Sequence, residues 1–499
     1  MGSVQKIASG MLWTTITRVI NIVYGFFSVP ILLGYFGQSQ YGLIGLAVSI
    51  NVYIQLMDMG LNSTNVRFYS TWLANDDKDK TKKGFQTSLA FYSIIGLLNA
   101  IILLALSFFT STIFNVSPEQ SIILKKLIYI LAANAIFGWF SGCFDQLIRA
   151  SENVAWIQKR ALIPKILNIL ILIATIVFKL ELTNYFFLIT FAYLTVFPLT
   201  IRKIQKEVPF IKFSPKFDRQ ILKEILPYSL NIFSFSIFQF SYNNLRPVFL
   251  GIQGTVESVA DYNIIMGITN VALLISGSSI SSLLPSTSRI VAQKNKEAYY
   301  RVAYDGTKYL TILLCFCSFG LIAICPELLT LYIGEQYSYL IPWLVTTILC
   351  NLGWHNQAIS CLILSGSDVR AINYSSAIAA ATGLIVTWFT IPTYQVGGPI
   401  LGMAAYMLIQ LSFYYWFKIM HLSTKIIFFQ SFIPYVLIGG IGVLISRLFT
   451  LSHSIILNLI IIGVAFTIIY LVLTFFTLSK TDKSFINSLI PYKYRHDKN

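Results

Sequence analysis

Apolar residues in this chain fall into long runs of about 20, separated by short polar stretches. A helix rises about 1.5 Å per residue and a bilayer core is about 30 Å thick, so each run matches one membrane crossing. Fourteen spans are predicted, at 11–34, 41–65, 86–114, 121–148, 161–179, 183–201, 226–250, 259–284, 308–333, 339–364, 371–391, 399–419, 427–449 and 453–478. Lys179 and Glu181 alone separate the fifth from the sixth.

The polar stretches alternate in charge. With the N-terminus and its Lys6 inside, the connections after even-numbered spans carry Arg67 to Lys83, Arg149 to Arg160, Arg202 to Lys223, Arg289 to Lys308, Arg370, Lys418 with Lys425, and Lys480 to Lys498. The opposite connections are short, and only Lys179 and Arg447 among them are basic. Basic loops stay cytoplasmic, so both termini are expected inside. The longest polar connection, about 22 residues from Arg202 to Lys223, is too short to build a soluble core. Its segment FSPKFDRQILKEI is expected to lie on the inner surface as an amphipathic helix.

A faint repeat links Leu33-Gly34 before Tyr41 to Leu250-Gly251 before Tyr262. Six spans separate the copies, which predicts two halves of the same orientation. The expected organisation is an N-terminal lobe at 1–201, a cytoplasmic linker at 202–225, a C-terminal lobe at 226–425, and two last spans with a tail at 426–499.

Composition agrees with an all-α polytopic membrane protein. Hydrophobic residues make up 56% and charged residues 11%, against about 25% charged in soluble domains. The net charge of +16 sits between the apolar runs, which points to membrane topology rather than nucleic acid. The six cysteines all lie in predicted spans and read as small apolar filler, with no metal or disulfide pattern. No hydrolase elbow, Walker loop, zinc-protease helix or dinucleotide fingerprint occurs in a suitable context, so a transporter without catalytic residues or cofactor is expected, not an enzyme.

Charged residues inside the runs are the candidate chemistry, because each is costly in hydrocarbon. Arg18 in span 1 and Asp58 in span 2 lie in the inner half; Arg18 either binds an anionic group or pairs with Asp58. Arg246 and Asp261 flank the outer link of spans 7 and 8, where they pair or snorkel. Asp145 and Arg149 are four apart, which permits an intrahelical ion pair. His355 is the one histidine deep in a span, either a proton relay or a packing residue. Lys125 and Lys126 read as snorkelling.

Asp58-Met-Gly60-Leu61 followed by Arg67, the paired Leu-Gly and Tyr links, the segment before span 7 and the fourteen spans together resemble the Wzx-type polysaccharide flippases of the multidrug/oligosaccharidyl-lipid/polysaccharide (MOP) exporter superfamily. The resemblance covers the whole chain. It implies two six-helix lobes around a central cavity plus two C-terminal helices, in a bacterial cytoplasmic membrane. It implies an undecaprenyl-diphosphate-linked oligosaccharide as substrate, moved from the inner to the outer leaflet by alternating access. Membrane lipids, a polysaccharide polymerase and glycosyltransferases are the expected partners. A cationic cavity would hold the diphosphate or acidic sugars through Arg18 and Arg246, with Asp58, Arg67, Asp145, Arg149 and Asp261 in gating or structural pairs. The alternatives are a drug or small-molecule exporter of the same superfamily and an intramembrane glycan polymerase or ligase.

Overall fold

The computed structural model describes residues 3–270, 287, 290–291, 293–365, 370–416, 427–450, 454–480 and 482–483. The end of the eighth predicted span, Arg289, Lys418, Lys425 and the tail from 484 lie outside them. Among the described residues there are helices and no strands. Among the described residues nine helices are long and apolar enough to cross a membrane, or ten if the bent pair Arg219–Ser234 and Ile237–Gln253 is one span.

That number differs from fourteen partly because helices merge and break. Ser3–Ile54 is two helices joined at Gly37, whose φ of 79° and ψ of 167° are not helical. The arms are α1 (3–36) and α2 (38–54), matching the predicted turn between spans 1 and 2. The second run then breaks again. A 3-10 turn at Gln55–Asp58 and left-handed Met59 and Gly60 lead into α3 (Leu61–Ala74). Next come α4 (Lys78–Phe108), α5 (Pro118–Ala150), α6 (Val154–Val177) and α7 (Leu182–Glu207), the last interrupted by a 3-10 segment at Ala192–Val196. Then follow α8 (Arg219–Gln253) and α9 (256–270). The remaining helices are α10 (Lys296–Ile333), α11 (341–365, with a 3-10 break at Leu352–Asn356), α12 (Arg370–Tyr394), α13 (Gly397–Trp416), α14 (Phe428–Arg447) and α15 (Ile455–Thr477).

Helix starts follow local chemistry. Ser117 and Gln120 close a capping box around Pro118 at the start of α5. Asp77 accepts from Lys80 N before α4, and Asp218 accepts from Gln220 N and Ile221 N before α8. The separate amphipathic helix expected before span 7 is not formed. Residues 208–218 are non-helical, held by Gln86 Nε2 donating to Ser214 Oγ at 2.7 Å and Lys216 N donating to Gln86 O. The RQILKEI part is the beginning of α8 itself. Its Ile221 and Ile225 are buried in one cluster with Tyr69, Trp72, Phe85 and Phe144, so their periodicity reflects protein packing rather than a lipid surface.

Packing divides the chain into two units. The first holds Met1–Ile268 and Ser376–Tyr406, and the second Thr269–Ser375 and Met407–Asn499. Helix α8 and α9 up to Ile268 thus fall in the first unit. In the second unit Phe319, Tyr435, Phe466 and Tyr470 join α10, α14 and α15.

Candidate functional site

A cavity of about 430 Å³ opens within the first unit. The end of α2 contributes Asn51, Gln55 and Asp58, and α3 contributes Asn62. Tyr92 and Asn99 come from α4, and Tyr193 from the 3-10 break of α7. The longest wall is α5, with Asn134, Gly138, Trp139, Ser141 and Gln146. These α5 positions recur at helical spacing, so one polar face runs along an otherwise apolar helix. Gly138 keeps that wall open, since a Cβ there meets only Asn134 Nδ2, at 3.7 Å.

Asp58 lines the cavity and also holds the bend between α2 and α3. Its Oδ2 accepts from Asn62 N at 3.1 Å, satisfying one of the free N–H groups at the start of α3. Its Oδ1 accepts from the Tyr92 hydroxyl at 2.5 Å. Gln146 Nε2 donates to Tyr92 Oη at 2.9 Å, and Asn65 Nδ2 donates to Gln146 Oε1 at 2.9 Å. A continuous chain of hydrogen bonds thus joins α3, α4 and α5 behind the cavity wall. Trp139 stacks on Tyr92 with ring centres 5.8 Å apart.

Arg18 is exposed on α1 and is not Asp58's partner, so of its two readings the pairing with Asp58 is not the one formed. The reason is local: the bend puts Asp58 against Tyr92 and Asn62 N, which satisfy it. Asp145 does not pair with Arg149 either. Arg160 of α6 forks onto it, NH1 to Oδ1 and NH2 to Oδ2, both at 2.8 Å. A bidentate fork at a 4% exposed guanidinium outcompetes a single exposed i,i+4 contact. Arg160 also donates to Thr200 and to Tyr193 Oη, so Tyr193 links this buried pair to the cavity.

The other singled-out residues sit elsewhere. Arg67 is exposed with its guanidinium 4.1 Å from the Tyr228 ring centre. Arg246 is 3% exposed, donates from Nε to Tyr242 O at 3.1 Å, and lies against the Tyr242 and Tyr262 rings. Asp261 accepts from Gln38 Nε2 at 2.6 Å. In the second unit, His355 is buried with Nδ1 2.7 Å from Leu352 O and its ring stacked on Phe432.

Sequence reasoning passed over two groups. One is the amide set of the cavity, detectable as Asn51 and Gln55 on the helix face that carries Asp58 and as the α5 stripe. The other is Lys165 on α6, whose Nζ lies 5.2 Å from the Tyr24 ring centre. Helices α1 and α6 run in the same direction, since Gly10 meets Val154 and Tyr24 meets Lys165. Lys159 packs over Trp13 on the same pair. Arg18 therefore falls between the levels of two lysines. Among the residues lining the cavity there is no lysine or arginine, so this cavity is not the cationic one expected.

Residues 31–342 match the family model described as polysaccharide biosynthesis protein. Among curated proteins none matches. Among solved structures, the lipid II flippase MurJ in an inward closed conformation aligns over 96% of this chain and 100% of its own, with a TM-score of 0.70 and 15% identity. An inward-facing multidrug resistance MATE family transporter of the MOP superfamily aligns over 83% of this chain and 97% of its own, with a TM-score of 0.61 and 17% identity. The MATE multidrug transporter DinF-BH gives a TM-score of 0.61 at 15% identity, over 83% of this chain and 96% of its own. At these identities the likeness is one of fold.

Proposed function

Since this chain belongs to the polysaccharide biosynthesis protein family and has the fold of MOP-superfamily transporters, we propose that it is a flippase. It moves an undecaprenyl-diphosphate-linked oligosaccharide from the inner to the outer leaflet of a bacterial cytoplasmic membrane by alternating access, for surface polysaccharide assembly. The observation that carries the reading is a cavity lined by amide and hydroxyl side chains around the single carboxylate of Asp58, within helices long and apolar enough to span. The lipid tail stays in the bilayer throughout, while the polar head group needs a hydrogen-bonding path that hydrocarbon does not offer.

Arg18 is assigned the phosphate contact. It is exposed on α1, with Lys159 and Lys165 on the neighbouring helix, and a guanidinium matches phosphate by charge-assisted bonds. Arg246 receives no substrate contact, because it is buried against two tyrosine rings and a backbone carbonyl. Export of a small organic cation is less well served. Asp58 is the one carboxylate lining the cavity, and both its oxygens already accept hydrogen bonds.

The test is surface-glycan export in cells that depend on this chain, normalised to its level in the membrane. Arg18→Ala should abolish most export at normal protein level, and Arg18→Lys should keep part of it through its point charge. Unchanged export in Arg18→Ala would remove the phosphate role.

A further inference from the structure

We infer that the cavity of the first unit is a subsite for an uncharged, hydroxyl-rich saccharide, a reading that rests on the flippase function proposed above. Its lining has the chemistry of a sugar site rather than of a phosphate or drug site. The side-chain amides of Asn51, Gln55, Asn62 and Asn134 line it with no hydrogen bond to the rest of the protein among the described residues. Asn99 is 2% exposed, and its Oδ1 has no partner. Each such amide offers two N–H donors and an accepting oxygen. A sugar hydroxyl both donates and accepts, so it satisfies either end of an amide without bringing charge. The orphaned Asn99 oxygen calls for a donor, which a hydroxyl supplies and a phosphate oxygen does not.

Two further features narrow the ligand. Trp139, stacked on Tyr92, adds a flat apolar surface of the kind on which the C–H face of a pyranose rests. The cavity, about 430 Å³, falls in the roughly 300–1,000 Å³ range of small-molecule sites and accommodates a short saccharide.

Charge then selects within sugars. A uronate or phosphate entering this cavity meets the Asp58 carboxylate and no lining cation, so it loses hydration without a compensating partner. The same lining accepts neutral hexoses or N-acetylated sugars. The subsite therefore discriminates by rejecting anions as well as by binding hydroxyls.

The experiment has two arms, both on the purified full-length chain. In the first, a panel of neutral disaccharides, N-acetylated and not, and their uronic-acid counterparts are titrated against the protein in detergent. Neutral members should bind about tenfold more tightly than their acidic counterparts. Asn134→Ala should weaken neutral binding about fivefold, the scale of one hydrogen bond. Gly138→Leu, which fills the cavity without a backbone clash, should abolish it. In the second arm, vesicles holding the chain are loaded with undecaprenyl diphosphate carrying a neutral or an acidic oligosaccharide. Delivery is read with a membrane-impermeant reagent.

Faster delivery of the neutral glycan, slowed by Gly138→Leu, agrees with the subsite. Equal delivery of both glycans with Gly138→Leu unaffected overturns the subsite and leaves the flippase reading standing. No delivery of either glycan overturns the flippase reading, and the titration then decides the subsite alone. Failure of every neutral disaccharide to bind in a Gly138-sensitive way overturns it.

Discussion

The hydroxyl of Tyr92 donates to Asp58 Oδ1 at 2.5 Å while accepting from Gln146, which ties the bend after α2 to both α4 and α5. Tyr92→Phe removes the donor to Asp58 and the acceptor of Gln146 together. The expected loss is about 1–3 kcal/mol of stability, the cost of leaving buried polar groups unsatisfied. Asp58→Asn should add little on that background. Thermal unfolding of the two single variants and the double in detergent checks this. Additivity within about 0.5 kcal/mol would mean that the two side chains do not act together.

The pair Asp145 and Arg160 gives a contrast between two arginines. Asp145→Ala strands a guanidinium that is 4% exposed, at an expected cost of about 3–5 kcal/mol. Arg149→Ala, at an exposed position of the same helix, should stay within about 0.5 kcal/mol. Melting curves of the two variants measure it, and equal losses would point back to the intrahelical pair.

How far the sequence foretold these arrangements depended on the kind of information each needs. Helix positions followed from run length, and the turn at Gly37 from the polar link around it. The polar face of α5 was present as a period between Asn134 and Gln146, but charge drew the reading to Asp145 and Arg149 instead. Partner choice was not legible. Asp145 has Arg149 one turn away in sequence, and Arg160 reaches it only because α6 folds back beside α5. The alternative in which Arg18 pairs with Asp58 failed for a similar reason. The left-handed Met59 and Gly60 turn Asp58 onto Tyr92, and a left-handed backbone at Met59 is not written in residue type.

Gly60 combines two constraints. Its φ is +76°, and a Cβ there would lie 2.8 Å from Ser229 O on α8. Gly60→Ala is expected to lose about 1–2 kcal/mol from the left-handed backbone alone, with the clash in addition. Gly34→Ala, on α1 with nothing within 4 Å of its Cβ, should be neutral or stabilising by about 0.4–1 kcal/mol. Membrane accumulation and melting temperature of the two variants provide the comparison.

In the second unit Asp482 is 5% exposed and fastens the chain after α15 to the N-terminal half of α10. It accepts from Lys308, from Tyr309 Oη at 2.9 Å and from Ser479 N at 2.8 Å. Burial by itself raises its pKa, but the bonds from Lys308, Ser479 and Tyr309 outweigh it and hold the carboxyl well below the usual range. A carboxyl depressed by folding stabilises the fold above its unfolded pKa of about 3.9, and loses that contribution as pH falls through the folded value. Hydrogen exchange around Ser479 should therefore stay slow near neutral pH and accelerate in strong acid. Asp482→Asn should exchange fast already at neutral pH and lose the acid dependence.

Movement of a lipid-linked oligosaccharide across a bilayer is the activity proposed for this chain. The most direct measurement is delivery of undecaprenyl-diphosphate-linked oligosaccharide in vesicles containing only the purified chain, against vesicles with none and against the Arg18→Ala variant. Delivery should depend on the chain and fall steeply in Arg18→Ala. No delivery above empty vesicles, together with efflux of a lipophilic organic cation from the same preparation, would contradict it.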